Sequence, residues 1–236
     1  MAWDFWLIFL ILGVLIPWRG RVRLKRLLAQ PAVNTKDKMI LYGSTIALQW
    51  IFAGLVAWRA SRRGLTIAEL GLARHVSAEL LLFGVSGALL LGALQWLNLR
   101  RIGRMTGAIP DFTRQLAKRV LPATSIEFAP YFALALTAGI CEEFLYRGFA
   151  MATLSRAGIM PWAVVIISSV LFGLAHAYQG RSGVFGTTLM GLVFGAARLA
   201  LQSLLPVAMW HAAVDVVAGI AGSRYLLGVQ ENTVSP

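Results

Sequence analysis

Seven apolar runs, at about 3–18, 39–58, 79–99, 128–155, 162–179, 183–199 and 203–222, take up most of this chain. About 20 apolar residues in a helix span the ~30 Å hydrocarbon core of a bilayer. Open strands would leave backbone groups unpaired in lipid, so every run reads as helix. The first and sixth are short, which suits tilted or partly inserted segments. The expected fold is all-α, a polytopic transmembrane bundle of about seven membrane helices, with six to eight as the range. Only 14% of the residues are charged and 58% are hydrophobic, against about a quarter charged in soluble domains. The spans leave no room for a separate soluble domain, so residues 1–236 read as one integral membrane domain.

The basic residues lie between the runs. Residues 19–38 hold Arg19, Arg21, Arg23, Lys25, Arg26, Lys36 and Lys38, and residues 100–127 hold Arg100, Arg101, Arg104, Arg114, Lys118 and Arg119. The intervening 59–78 loop has Arg59, Arg62, Arg63 and Arg74. The excess of positive charge on one side predicts an outside N-terminus and a cytoplasmic C-terminus. It also accounts for the net charge of +12 without a nucleic-acid partner. The first run lacks a basic n-region and a small-residue cleavage site, so it reads as a retained span rather than a signal peptide. The bacterial inner membrane is the expected location. Gly191 and Gly195 form a GxxxG pair, a helix-packing signal. The lone cysteine, Cys141, reads as a small buried residue.

Among the charged and titratable side chains within the apolar runs of the second half, six are informative: Glu142, Glu143, Arg147, His176, His211 and Asp215. Each is costly at bilayer depth, ~2.5–3.5 kcal/mol for an ionised group on insertion scales, and such residues face the bundle interior, pair, or mark function. Glu143 and Arg147 are four apart and share a helix face, as do His211 and Asp215, and Phe172 and His176. At ~1.5 Å rise per residue, Glu142 and His176 both lie about 20 Å from the turn near 156–161. His211 comes out shallower by several ångströms. Glu143 and Arg147 read as a mutually neutralising brace. Glu142, about 100° around the helix from Glu143, has no partner of its own nearby in sequence.

A carboxylate beside imidazoles in a small wet cavity can take a proton from water and make a hydrolytic nucleophile. The same residues, Glu142, His176, His211 and Asp215, could instead hold a divalent metal such as zinc, with a bound water as nucleophile. The residues leave both open, and no HExxH spacing is present.

"EEFLYR" at 142–147 reads EExxxR, "FGLAH" at 172–176 reads FxxxH, and "HAAVD" at 211–215 reads HxxxD. These motifs, in this order on successive apolar segments, resemble the CPBP family of intramembrane proteases, also called the Abi or CAAX-protease family. It includes type II CAAX prenyl endopeptidases. The resemblance covers residues 139–222, within the apolar helices of 128–222. It implies a membrane-embedded peptidase of glutamate or metalloprotease type, acting on a peptide or protein substrate. Glu142 would be the general base that activates water, assisted by His176. His211 and Asp215 would complete the site, and Glu143, Arg147 and Phe172 would support it. An ionised Asp215 accepts hydrogen bonds and cannot donate one to an oxyanion, which favours water or metal binding there.

Two other readings compete. A proton-coupled transporter would use the same Glu, His and Asp chain as a relay, but the chain lacks two-fold internal similarity. "GVSG" at 84–87 suggests a rhomboid-like serine protease with a Ser86–His176 dyad. That dyad leaves Glu142, Glu143 and Arg147 unexplained.

Overall fold

The computed structural model describes residues 2–72, 76–104 and 110–228. Arg74, counted above among the loop charges, and the end of the C-terminal tail lie outside them. Eight helices account for nearly all described residues, and no strand occurs among these residues. They are α1 (Trp3–Ala29), α2 (Thr35–Arg62), α3 (Ala78–Arg104), α4 (Asp111–Val120), α5 (Ser125–Arg156), α6 (Pro161–Ala175), α7 (Ala177–Leu201) and α8 (Leu205–Leu226). Six of them, all but α4 and α6, are long and apolar enough to cross a membrane. With 15 residues, α6 reaches about 22 Å at 1.5 Å per residue and ends inside the bundle. The protein is an integral membrane protein with the polytopic helical architecture that its hydropathy predicts.

Local signals explain the helix ends. Asn34 caps α2, its side chain accepting from the Asp37 amide while the Asp37 carboxylate accepts from the Asn34 amide, a reciprocal capping box. Pro161 and Pro206 stand in the first turns of α6 and α8, where a missing N–H costs nothing. Two boundaries differ from the sequence expectation. The first apolar run continues as helix to Ala29, so Arg19, Arg21 and Arg23 are helical rather than loop residues. The basic 100–127 loop contains α4, which places Leu116 and Ala117 inward and Arg114 and Lys118 outward.

Helix α5 is the centre of the bundle: 50% of its apolar window is buried, against 11% for α3. It packs between α2 and α8, α8 also carries α3, and α6 pairs with α7. The expected small-residue contact forms at that last pair. A Cβ on Gly191 would lie 2.9 Å from Ser169 Cβ, and one on Gly195 would lie 2.9 Å from Val165 Cγ1. Only glycine lets the two backbones meet so closely. Large apolar side chains such as Ile51, Leu82, Leu89 and Ile126 point outward, as a lipid-facing surface requires.

Charged clusters fasten both ends. Near one face, buried Lys38 donates to Glu127 (3.0 Å) and to the Leu121 carbonyl (2.7 Å). Arg119 donates to the carbonyls of Leu27 and Gln30 at the end of α1. At the other face Asp4 binds Arg59 and Arg63, and Glu69 binds Arg156 (2.6 Å).

Candidate active site

The adjacent glutamates of α5 occupy different environments. Glu143 is fully buried, whereas the Glu142 side chain keeps 19% exposure. Immediately after them the helix widens into a π-helical stretch over Phe144–Ala150, a distortion frequent at functional sites.

Glu142 faces a cavity of about 430 Å³ enclosed by α1, α2, α4, α5 and the turn after α6. The Gln49 amide donates to Glu142 Oε1 at 2.6 Å. On its other side, Glu142 Oε2 lies 3.9 Å from His176 Nε2, too far for a direct hydrogen bond. His176 Nδ1 lies 2.9 Å from the Phe172 carbonyl. A carbonyl only accepts, so a neutral His176 carries its proton on Nδ1 and presents an unprotonated Nε2 to the carboxylate. Two acceptors thus face each other across a gap that suits one bridging water.

The position of His176 depends on its turn. It follows the last residue of α6, and α7 opens with a tight turn over Ala177–Gln179 that ends at Gly180, with φ +82° and ψ −176°. That region is essentially reserved for glycine.

Behind this pair lies a drier layer. Arg147 donates to Glu143 Oε1 at 2.8 Å, and His211 Nδ1 meets the same oxygen at 2.8 Å. The guanidinium of Arg147 stacks 4.2 Å from the Phe172 ring centroid, a cation–π contact in an interior that offers it few other partners. Phe172 also stands between the two histidines, 4.6 Å from His176 and 5.6 Å from His211, centroid to centroid. His211 Nε2 is directed at Asp215, 3.6 Å away. His211 is therefore level with Glu143, not several ångströms shallower as residue counting suggested. Residue counting measures distance along one helix and carries no information on how neighbouring helices are offset or tilted, and the contacts with Glu143 and Phe172 fix the depth of His211 directly.

All the candidate residues fall in one region, but in two groups. Glu142 and His176 line the cavity. His211 and Asp215 are not among its lining residues and are reached through Glu143 and Phe172. Ser86 is exposed on α3, its hydroxyl turned to the Phe83 carbonyl at 3.4 Å, and it does not line the cavity that holds His176. Gln49 is the partner that sequence reading missed. A lone amide within the apolar run 39–58 was its only signal.

The donors do not fit a metal ion as they stand. The two Nε2 atoms face different carboxylates, Glu142 for His176 and Asp215 for His211, so the four donors form two separate pairs. Among the described residues no three His, Cys, Asp or Glu side chains are grouped to hold a metal.

Residues 124–217 match the family model described as "Type II CAAX prenyl endopeptidase Rce1-like". The matched segment runs from the start of α5 into α8, so it contains every residue of the two groups except Gln49. No curated protein and no solved structure matches the chain.

Proposed function

With an Rce1-like domain at residues 124–217, which at family level supports a membrane endopeptidase, we propose that this protein hydrolyses peptide bonds with a water activated by Glu142 and His176. The observation that carries this reading is the 3.9 Å gap between Glu142 Oε2 and His176 Nε2. A water there donates one hydrogen to each acceptor and keeps its lone pairs for the substrate. Its oxygen attacks the scissile carbonyl carbon while Glu142 takes the proton. The tetrahedral intermediate then collapses, the C–N bond breaks, and Glu142 returns the proton to the departing amine. Gln49 holds the carboxylate in orientation and leaves Oε2 free.

His211 and Asp215 complete the site from α8. Glu143 fixes His211 at Nδ1, which directs Nε2 toward Asp215. Asp215, an acceptor when ionised, suits a peptide N–H or a water. Glu143, Arg147 and Phe172 act through the residues that they hold. No step is routed through a metal. The substrate is a peptide or protein segment in the bilayer, entering through the basic end of the cavity between α1 and α4. The charge distribution makes that end, and the C-terminus, cytoplasmic.

The test uses purified protein in detergent with a panel of fluorogenic hydrophobic peptides. Wild type and Ser86→Ala cleave, whereas Glu142→Gln and His176→Ala do not. Undiminished cleavage by Glu142→Gln refutes the mechanism. Proton-coupled solute uptake into liposomes without any peptide cleavage refutes the hydrolase assignment itself.

A further inference from the structure

The charges on the wall of the catalytic cavity do not balance. Its acidic and basic lining residues are Glu142 on α5 and, on α1, the exposed Arg19 and half-buried Arg23. Arg23 donates to Thr45 Oγ1 (3.0 Å), Ser44 Oγ (2.8 Å) and the Leu41 carbonyl (3.4 Å). All three acceptors are neutral, and they occupy three of the five guanidinium N–H groups. Among the described residues no carboxylate lies within ion-pairing distance of Arg23 or Arg19. The two arginines are also four residues apart on one helix, so like charges face the same cavity, an arrangement that destabilises a helix unless something lies between them. Two other cations near this face are more fully engaged: buried Lys38 has Glu127, and Arg119 donates to four backbone carbonyls, three of them at the end of α1.

We propose that Arg19 and Arg23 form an anion subsite that binds a carboxylate of the peptide substrate on the wall of the cavity. This rests on the hydrolase reading above. A guanidinium fork matches a carboxylate geometrically, and α2 holds the Arg23 fork in place before anything binds. The subsite also has a register. Arg23 is anchored to Thr45, and Gln49, one turn further along α2, holds Glu142. The four residues from Thr45 to Gln49 rise about 6 Å, or about two residues of extended peptide at ~3.3 Å each. The recognised carboxylate, on a side chain or at a chain end, therefore sits about two residues from the attacked bond. Leu48, between the two anchors on α2, lines the apolar wall that takes the intervening side chain.

The experiment measures binding as well as cleavage, so that the subsite can fail while hydrolysis stands. Three fluorescent nonapeptides of Leu and Ala are compared by anisotropy on the detergent-solubilised protein. One ends in a free carboxylate, one in an amide, and one in an amide with a single Glu side chain moved along the sequence. Wild type binds the carboxylate peptides about tenfold more tightly than the amide, as loss of a charge-assisted hydrogen bond implies. Arg23→Gln loses that preference, Arg19→Gln weakens it, and Arg23→Lys keeps part of it, while affinity for the amide stays within twofold in all three. In cleavage, the loss falls on KM rather than kcat for a contact made equally in ground and transition states. Should Arg23→Gln also lose the amide peptide, Arg19→Gln and Arg23→Lys still decide. Equal binding of amide and carboxylate by wild type overturns the proposal. So does a preference that survives the Arg19→Gln/Arg23→Gln double variant. Binding of the amide and carboxylate peptides that differs only until anionic phospholipid is added to the micelles assigns the arginines to a lipid phosphate, and overturns the peptide assignment. Carboxylate-selective binding without cleavage leaves the subsite standing and removes the hydrolase.

Discussion

Glu142 and Glu143 are chain neighbours with opposite situations. Glu142 has one neutral amide on one oxygen and open cavity on the other. Glu143 is shared between a guanidinium and an imidazole, with no exposure at all. The comparison separates what a buried charge can be for. A carboxylate whose charge is met on the spot organises the packing around it, and removing it leaves its partners stranded. One whose charge is met only by a dipole and whose second oxygen faces space for water is available to react. The helix produces both states from adjacent residues, because a step of one residue turns the side chain through about 100°.

Substituting the two glutamates separately is the strongest way to break this contrast. Glu142→Gln lowers cleavage by about 10²–10⁴-fold, the usual contribution of a general base, and leaves the denaturation midpoint in detergent near that of wild type. Glu143→Gln costs about 3–5 kcal/mol of stability, because Arg147 is then a buried charge without its counter-ion. Replacing both partners, as Glu143→Gln/Arg147→Met, recovers part of that loss, since a neutral pair leaves no stranded charge. Equal stability losses in Glu142→Gln and Glu143→Gln would erase the distinction.

A smaller effect sharpens the buried side of it. A Cβ on Gly191 would come within 3.0 Å of the Ser169 backbone and 3.2 Å of Arg147 Nη2. Gly191→Ala therefore costs about 1–3 kcal/mol by overpacking. Gly186→Ala, on the same helix with nothing within 4 Å, is neutral or stabilises by up to about 1 kcal/mol. Thermal unfolding of the two variants in one detergent measures the difference. If Gly191→Ala matches Gly186→Ala, α7 does not confine the Arg147 guanidinium.

The sequence made the bundle legible because lipid admits so few backbone solutions. Apolar length marked the helices, Gly191 and Gly195 marked a close helix contact without naming its partner, and the i,i+4 spacing of Glu143 and Arg147 marked their ion pair. What it hid were contacts between helices far apart in the chain. Gln49 and Glu142 are 93 residues apart, and His211 and Glu143 are 68 apart. Periodicity describes one helix at a time and carries no rotation of one helix against another, so it cannot say that His211 falls on Glu143. The basic residues show a second limit. Charge counting used Arg19 and Arg23 as markers of orientation, and only their positions on a helix reveal that they line the cavity.

The smallest expected effect lies at the third kind of carboxylate, the water-facing one. Glu69, between α2 and α3, accepts from Arg156 Nε at 2.6 Å and Nη2 at 2.9 Å, and from the Thr66 amide at 2.7 Å. The Arg156 hydrogen bonds, then that of the Thr66 backbone, hold its carboxyl at about 2, below the ordinary 4.5. A depressed folded value means that unfolding takes up a proton in the window between the two. The pair's stabilisation is thus fully present above pH 4.5, declines as the pH falls through that window and is gone below about 2. Both side chains are substantially exposed, 33% for Glu69 and 43% for Arg156, so solvent and salt screen the interaction and hold its worth to under about 1 kcal/mol. Arg156→Gln therefore lowers the denaturation midpoint slightly at pH 6, and the gap to wild type closes as the pH approaches 2 or as salt is raised to 1 M. The Glu143–Arg147 pair, out of reach of bulk ions, keeps its effect at high salt. A salt-insensitive loss in Arg156→Gln would show that the rim of the bundle is as shielded as its centre, and the contrast between water-facing and buried carboxylates would fail at its outer end.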